Sequence, residues 1–178
     1  MSTRERILDA AFTLTVEQGW SGVTMARLGE AAGVSRQSVY NEFGNKQQVA
    51  QALITRELLR FLEVVDEGLA AGRSPGDSVH RAGTAVLDLA THNPLLKAAL
   101  GAAAGSPSPL LPLLTSQSRP LLDTATARVE AGLLGAHPQV AGPHLADAVD
   151  TIVRIVLSHV VQPGRAPDLR RIGERLLE

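Results

Sequence analysis

The chain has 178 residues, 44% of them hydrophobic and 20% charged, a composition that excludes a wholly disordered or collagen-like protein. Seventeen Lys and Arg stand against 18 Asp and Glu, a formal net charge of −1, so no global basic field marks the chain for nucleic acid or membrane, and any such partner must meet a local patch. Cysteine is absent, which excludes disulfides and thiolate metal sites and suits a reducing cytoplasm.

Residues 3–18 place Ile7, Ala11, Phe12 and Leu14 on a helical stripe, and Ser2 with Glu5 has the spacing of a capping box. No signal-peptide apolar stretch follows, so a cytoplasmic location is expected. Gly19 stops that helix, residues 20–23 connect, and Thr24 is an N-cap for a short helix over 25–32. Gly33 stands where a left-handed C-terminal residue is wanted, and Ser35 caps the next helix, 36–42. Two short helices joined by a glycine-containing turn form a helix-turn-helix pattern. Residues 45–48 then open a long helix in which Val49, Leu53, Leu59, Leu62 and Val65 recur, ending near 68–72.

Further helices are predicted over 77–91, 95–104, 109–134, 141–161 and 167–177, with loops at 72–77, 92–94, 105–108, 135–140 and 162–167. No window alternates long enough to predict a strand. The expected fold is all-α, about nine helices. The uncharged stretch 98–118 contains Pro107, Pro109 and Pro112 with four serines, too broken and polar to span a membrane.

All five aromatic residues (Phe12, Trp20, Tyr40, Phe43, Phe61) lie in the first 61 positions. Residues 1–60 carry seven basic and six acidic side chains, and residues 61–178 ten and twelve. Two regions of different packing chemistry are therefore expected: a helix-turn-helix domain at 1–46 and a second helical domain at 47–178, with helix four (about 45–70) linking them.

A recognition helix must show polar N-terminal side chains to base edges while the helix before it braces the backbone. Residues 35–41 supply Ser35, Arg36, Gln37, Ser38, Tyr40 and Asn41, with only Val39 turned inward. Arg36 matches guanine bidentately and Gln37 matches adenine, because each offers a planar fork to two adjacent base atoms. Phe43 reads as core. Tyr40 reads as packing with its ring while its hydroxyl reaches a phosphate, and Trp20 reads as packing against helix one or four.

The run Gly19-Trp20, Thr24, Leu28, Ala31-Ala32-Gly33-Val34-Ser35, Val39-Tyr40 and Phe43-Gly44-Asn45-Lys46, ending in Val49 and Leu53, resembles the DNA-binding domain of the TetR family of bacterial transcriptional regulators. The resemblance is dense over about residues 4–55. It implies that Thr24, Ser35, Ser38, Tyr40, Asn41 and Lys46 touch double-stranded DNA, many of them at phosphates, which position rather than specify. At Lys46 the side-chain charge adds to the open N–H groups of a helix start. The sequence departs from the pattern at Glu42, where many relatives carry His, and a carboxylate near phosphates weakens binding unless it turns away or pairs with a neighbour.

The resemblance further implies a C-terminal domain that binds a small molecule between its helices and pairs with a second subunit, giving a homodimer on a palindromic operator, commonly a repressor released by its effector. For that effector the expected wall is aliphatic: Phe61, Leu62, Val65, Val86, Leu89, Leu96, Leu100, Leu110, Leu113, Leu114 and Leu122. One ring cannot build an aromatic stack or a cation cage, whereas methylenes are readily buried, so the expected effector is apolar with one polar end. Arg81, Thr84 and His92 are the candidates to hold that end.

The apolar surface of Leu145, Val149, Ile152, Val153, Val156 and Val160, continued by Leu169, Ile172 and Leu176, exceeds what one helical layer buries and predicts the dimer interface, with His159 placed there too rather than in the interior. The five histidines form no metal-spaced pair, so no metal, cofactor or catalytic residue is expected. Two alternatives remain: a dimeric DNA-binding protein that takes no ligand, and a helical-bundle enzyme or carrier, against which the scatter of its titratable groups counts.

Overall fold

In a computed structural model, describing residues 1–100 and 108–177, the first helix, α1 (Thr3–Gln18), starts as its sequence dictates. The Ser2 side chain accepts from the Glu5 amide and the Glu5 carboxylate accepts from the Ser2 amide, so two otherwise unpaired donors are satisfied reciprocally. Trp20–Gly22 forms a 3-10 turn, followed by α2 (Met25–Ala32), α3 (Arg36–Phe43) and α4 (Lys46–Ala71). The chain continues through α5 (Pro75–His92), α6 (Pro94–Leu100), α7 (Leu111–Leu114), α8 (Arg119–Ala136), a 3-10 turn at Pro138–Val140, α9 (Leu145–Val161) and α10 (Leu169–Leu177). The fold is all-α, with no strand among the described residues.

Several boundaries differ from the sequence expectation, two of them by more than two residues. The single helix expected over 109–134 is two, α7 and α8, because the backbone leaves helical geometry at Thr115 (φ −123, ψ −91) and Pro120 supplies a fresh start in the first turn of α8. The helix expected from 141 begins only at Leu145, since the residue before Pro143 is steered away from the helical region. Of the helix expected over 95–104, α6 accounts for the part through Leu100; its remainder and most of the loop expected at 105–108 lie outside the described residues.

Two compact units are present, Met1–Glu57 with Asn93–Ser116 and Leu58–His92 with Gln117–Glu178. In the first, Ile7, Leu28, Val39, Val49 and Leu53 are fully buried, and Arg56 of α4 pairs with Asp9 at 2.7 Å and donates to the Leu8 carbonyl, tying α4 to α1.

The second unit is built on Leu69, Val79, Leu133, Val149, Ile152 and Leu169. α5 and α10 cross at glycines: a Cβ on Gly173 would stand 3.0 Å from the Gly76 Cα, and one on Gly76 2.9 Å from the Arg170 carbonyl oxygen. Beside that crossing, Asp77 is 4% exposed at its side chain and accepts from the Arg73 amide (3.0 Å), Arg81 Nε (3.0 Å) and Arg170 Nη2 (2.6 Å). The Arg73 amide and the two guanidinium groups hold this carboxyl well below the ordinary carboxylate range. Ser78 donates to the Leu69 carbonyl, so its oxygen accepts from Nε2 of the buried His137 at 2.7 Å. No helix among the described residues is long and apolar enough to cross a membrane.

Candidate DNA interface

The turn between α2 and α3 is fixed by backbone geometry before any side chain is aimed. Gly33 adopts the left-handed conformation (φ 64, ψ 39), the Val34 amide donates back to the Gly29 carbonyl at 2.8 Å, and a Cβ on Gly29 would lie 2.9 Å from the Val34 carbonyl oxygen and 3.2 Å from the Arg36 amide. Only glycine at 29 permits that approach. Arg6 of α1 donates to the carbonyls of Ala32 and Gly33, satisfying the end of α2. Arg27 donates to the Gly22 carbonyl at 2.8 Å. Neither arginine was singled out by sequence reasoning, and with partners 26 and five residues away only Arg27 left a local signal.

Each short helix begins at the cap its sequence announced. Thr24 Oγ1 accepts from the Arg27 amide at 3.2 Å and Ser35 Oγ from the Ser38 amide at 3.0 Å. The two serine hydroxyls are also 2.9 Å apart. Val39 and Phe43 turn inward and are buried, while Arg36, Gln37 and Asn41 are exposed and Ser38 and Tyr40 half-buried. Phe43 is capped on one face by the Arg4 guanidinium, 4.4 Å from the ring centroid. Glu42 is exposed, and its carbonyl accepts from Arg4.

Two side-chain pairs run along α3. Arg36 Nη2 donates to Tyr40 Oη at 3.2 Å, with its guanidinium 5.3 Å from the ring centroid, and Gln37 Nε2 donates to Asn41 Oδ1 at 2.9 Å. The hydrogen bond to Tyr40 raises the Arg36 pKa above its ordinary value. At the start of α4, Asn45 Oδ1 accepts from the Gln48 amide at 2.9 Å. Lys46 is half-buried, donates to the Trp20 carbonyl at 2.9 Å and lies 5.3 Å from the indole centroid. Burial lowers its pKa. Its ammonium keeps two further N–H donors.

The residues expected to line an effector pocket fall in both units. In the second, Leu62, Val65, Val86 and Leu122 are buried and Phe61 and Leu89 half-buried. Arg81, Thr84 and His92 are exposed; Arg81 is engaged by Asp77, and His92 Nδ1 donates to the Asp88 carbonyl at 2.9 Å. In the first, Leu110 and Leu114 are buried and Leu96, Leu100 and Leu113 half-buried. Of the side chains expected at a dimer interface, Leu145, Val149, Ile152 and Leu169 are buried within their own unit. Val153, Val156, His159, Val160 and Ile172 are half-exposed, and Leu176 is 38% exposed. His159 Nδ1 donates to the Ile155 carbonyl at 2.8 Å. No group of three His, Asp or Glu among the described residues is arranged to hold a metal ion.

Residues 7–53 match the sequence profile described as bacterial regulatory proteins, tetR family, and residues 76–175 match the bacterial tetracyclin repressor C-terminal domain. The chain is 30% identical over 164 residues to the HTH-type transcriptional regulator AlkX of Mycobacterium tuberculosis, an alignment covering 92% of this chain and 77% of that protein. Among solved structures it resembles the TetR family repressor AlkX from Dietzia sp. strain DQ12-45-1b, implicated in biodegradation of n-alkanes, with a TM-score of 0.77, 26% identity, and 99% and 94% of the two chains covered. It shares its fold with the transcriptional regulator FadR from Bacillus subtilis, solved in complex with stearoyl-CoA, at a TM-score of 0.62 and 17% identity over 97% of this chain and 95% of that one.

Proposed function

The chain belongs to the TetR family of bacterial transcriptional regulators, and on that premise we propose that it is a cytoplasmic repressor that binds a palindromic operator as a homodimer and leaves it when an aliphatic effector enters its C-terminal helices. Arg36 and Gln37 read bases in the major groove, and Thr24, Ser35, Ser38, Tyr40, Asn41 and Lys46 engage the backbone. In this reading the half-exposed side chains Val153, Val156, His159, Val160, Ile172 and Leu176 meet a second copy. The already buried Leu145, Val149, Ile152 and Leu169 support that face from behind.

The observation that carries the effector class is the second unit's apolar core cluster, whose buried members are Leu, Val, Ile and Ala, with Phe61 the one benzene ring packed against it. Such a wall rewards methylene burial by about 0.8 kcal/mol per group and offers no aromatic stack. The relative from Dietzia, implicated in n-alkane biodegradation, supports the same reading. Regulation rather than catalysis is favoured because the most embedded carboxylate, Asp77, is consumed by two arginines and a backbone amide.

The experiment is release of the protein from an operator selected out of random duplexes, with long-chain alcohols and fatty acyl compounds titrated beside planar cationic dyes, and thermal shift measured in parallel. Aliphatic compounds are expected to release the duplex and raise the melting temperature, because a ligand shifts the equilibrium only by its preference for one state. Release by the dyes alone rejects the aliphatic effector, and no release or shift by any compound favours a ligand-independent regulator.

A further inference from the structure

We propose that Tyr40 and Asn41 are positioning residues for base reading: each accepts a hydrogen bond from the reading side chain one turn earlier and so sets the direction in which Arg36 and Gln37 meet the bases. This rests on α3 being the helix that reads DNA. The two contacts have the same register, i to i+4, and the same polarity, reader donating and partner accepting, at 3.2 Å for Arg36 to Tyr40 and 2.9 Å for Gln37 to Asn41. Adjacent readers are thus held by adjacent partners along one helix face.

The donor count makes the arrangement compatible with reading. Arg36 has five N–H donors and gives one Nη2–H to Tyr40, leaving a bidentate edge for guanine O6 and N7. Gln37 gives one of its two Nε2–H donors to Asn41 and keeps the other, with Oε1, for adenine N7 and N6. Each partner also retains a donor of its own, since Tyr40 accepts at Oη and keeps its O–H, and Asn41 accepts at Oδ1 and keeps both Nδ2–H groups. A phosphate bound by that remaining donor fixes the partner, and the partner fixes the reader. Backbone contact is thereby coupled to base recognition within single residues, so that Tyr40 and Asn41 contribute to specificity although they touch no base. In the free protein these side chains are exposed or half-buried, so each pair alone is a weak bias in water. Its effect grows when the duplex excludes that water.

Ordering a long side chain in advance is worth about a threefold to tenfold gain per reader. The test is a double-substitution cycle on wild type, Arg36→Ala, Tyr40→Phe and the double variant. Binding is measured to a duplex selected from a random library, to a scrambled duplex, and to duplexes substituted at the base pair where Arg36→Ala loses its preference. Tyr40→Phe keeps the ring, and its melting curve checks the fold. It is expected to lower discrimination at that base pair by about threefold to tenfold in the wild-type background and not at all in the Arg36→Ala background. The same outcome is expected for Asn41→Ala against Gln37→Ala at the adjacent position. An equal loss on every duplex, unchanged in the Arg36→Ala background, makes Tyr40 a phosphate contact only and overturns the inference. If Arg36→Ala itself leaves discrimination intact at every position, the assignment of α3 as the reader fails, and the inference fails with it.

Discussion

Residues 1–57 and the second unit are both helical, yet different chemistry holds them. In the first, helices as short as eight residues are started by side-chain caps at Ser2, Thr24, Ser35 and Asn45, and the rings of Trp20 and Phe43 pack beneath the cations of Lys46 and Arg4. In the second, the hydrophobic core cluster is aliphatic, α5 and α10 touch at glycines, and the buried polar ties include those of Asp77 and of the Ser78–His137 pair. Helices this short are unstable alone, so a reading head needs directional contacts that fix each side chain.

The largest expected effect separates two positions one turn apart on α9. Ile152 is 4% exposed within its own chain, so Ile152→Lys buries an unpaired charge and is expected to cost several kcal/mol and unfold the second unit. Val156, half-exposed on the same helix, is expected to tolerate lysine in the fold but to yield monomers with weakened operator affinity. Circular dichroism with analytical sedimentation distinguishes them, and unchanged dimers of Val156→Lys would move the interface elsewhere.

In the first region, Trp20 is 5% exposed, and Trp20→Ala is expected to cost about 3–5 kcal/mol. The loss should show as a lower midpoint in urea and as weaker binding to all duplexes, because Lys46 loses the indole beneath it. A midpoint within about 0.5 kcal/mol of wild type would show that the ring is not part of the frame.

A smaller effect is expected at Asp77. Because its folded-state pKa is depressed, its contribution to stability is fully present above the unfolded value of about 3.9 and is lost as pH falls toward the folded one. Asp77→Asn should therefore melt several degrees below wild type at pH 7, and the gap should narrow as pH drops below about 4. A gap independent of pH would mean that the charge does not matter. The contrast is Arg119 with Asp123, an equally spaced pair exposed by 80% and 62%, where Arg119→Ala is expected to cost no more than about 0.5 kcal/mol.

These differences also explain which parts were legible in the sequence. α1 to α3 could be read within a residue because their boundaries are made by local chemistry: Ser2 with Glu5, Thr24, Gly33 and Ser35 act on neighbours three or four positions away. The polar face of α3 was legible for the same reason, and so, in principle, were its i to i+4 pairs. The tie of Lys46 to Trp20 and that of Arg170 to Asp77 span 26 and 93 residues, and no local pattern announces them. The break between α7 and α8 did carry a signal, since Pro75, Pro94, Pro112 and Pro120 all stand in the first turn of a helix, but the leucine spacing on either side continues through it. Ile152 and Val156 share an apolar stripe, and only tertiary packing decides which is core and which is surface.

Selection of bound duplexes from a random library by the full chain tests the central claim most directly. A dimeric reader of this kind predicts an inverted repeat whose half-sites are centred one helical turn apart, about 34–36 Å, or a multiple of it. Each half should contain a guanine whose preference disappears for Arg36→Ala and an adenine whose preference disappears for Gln37→Ala. Recovery of a single asymmetric site, or of no preferred sequence at all, would contradict the account.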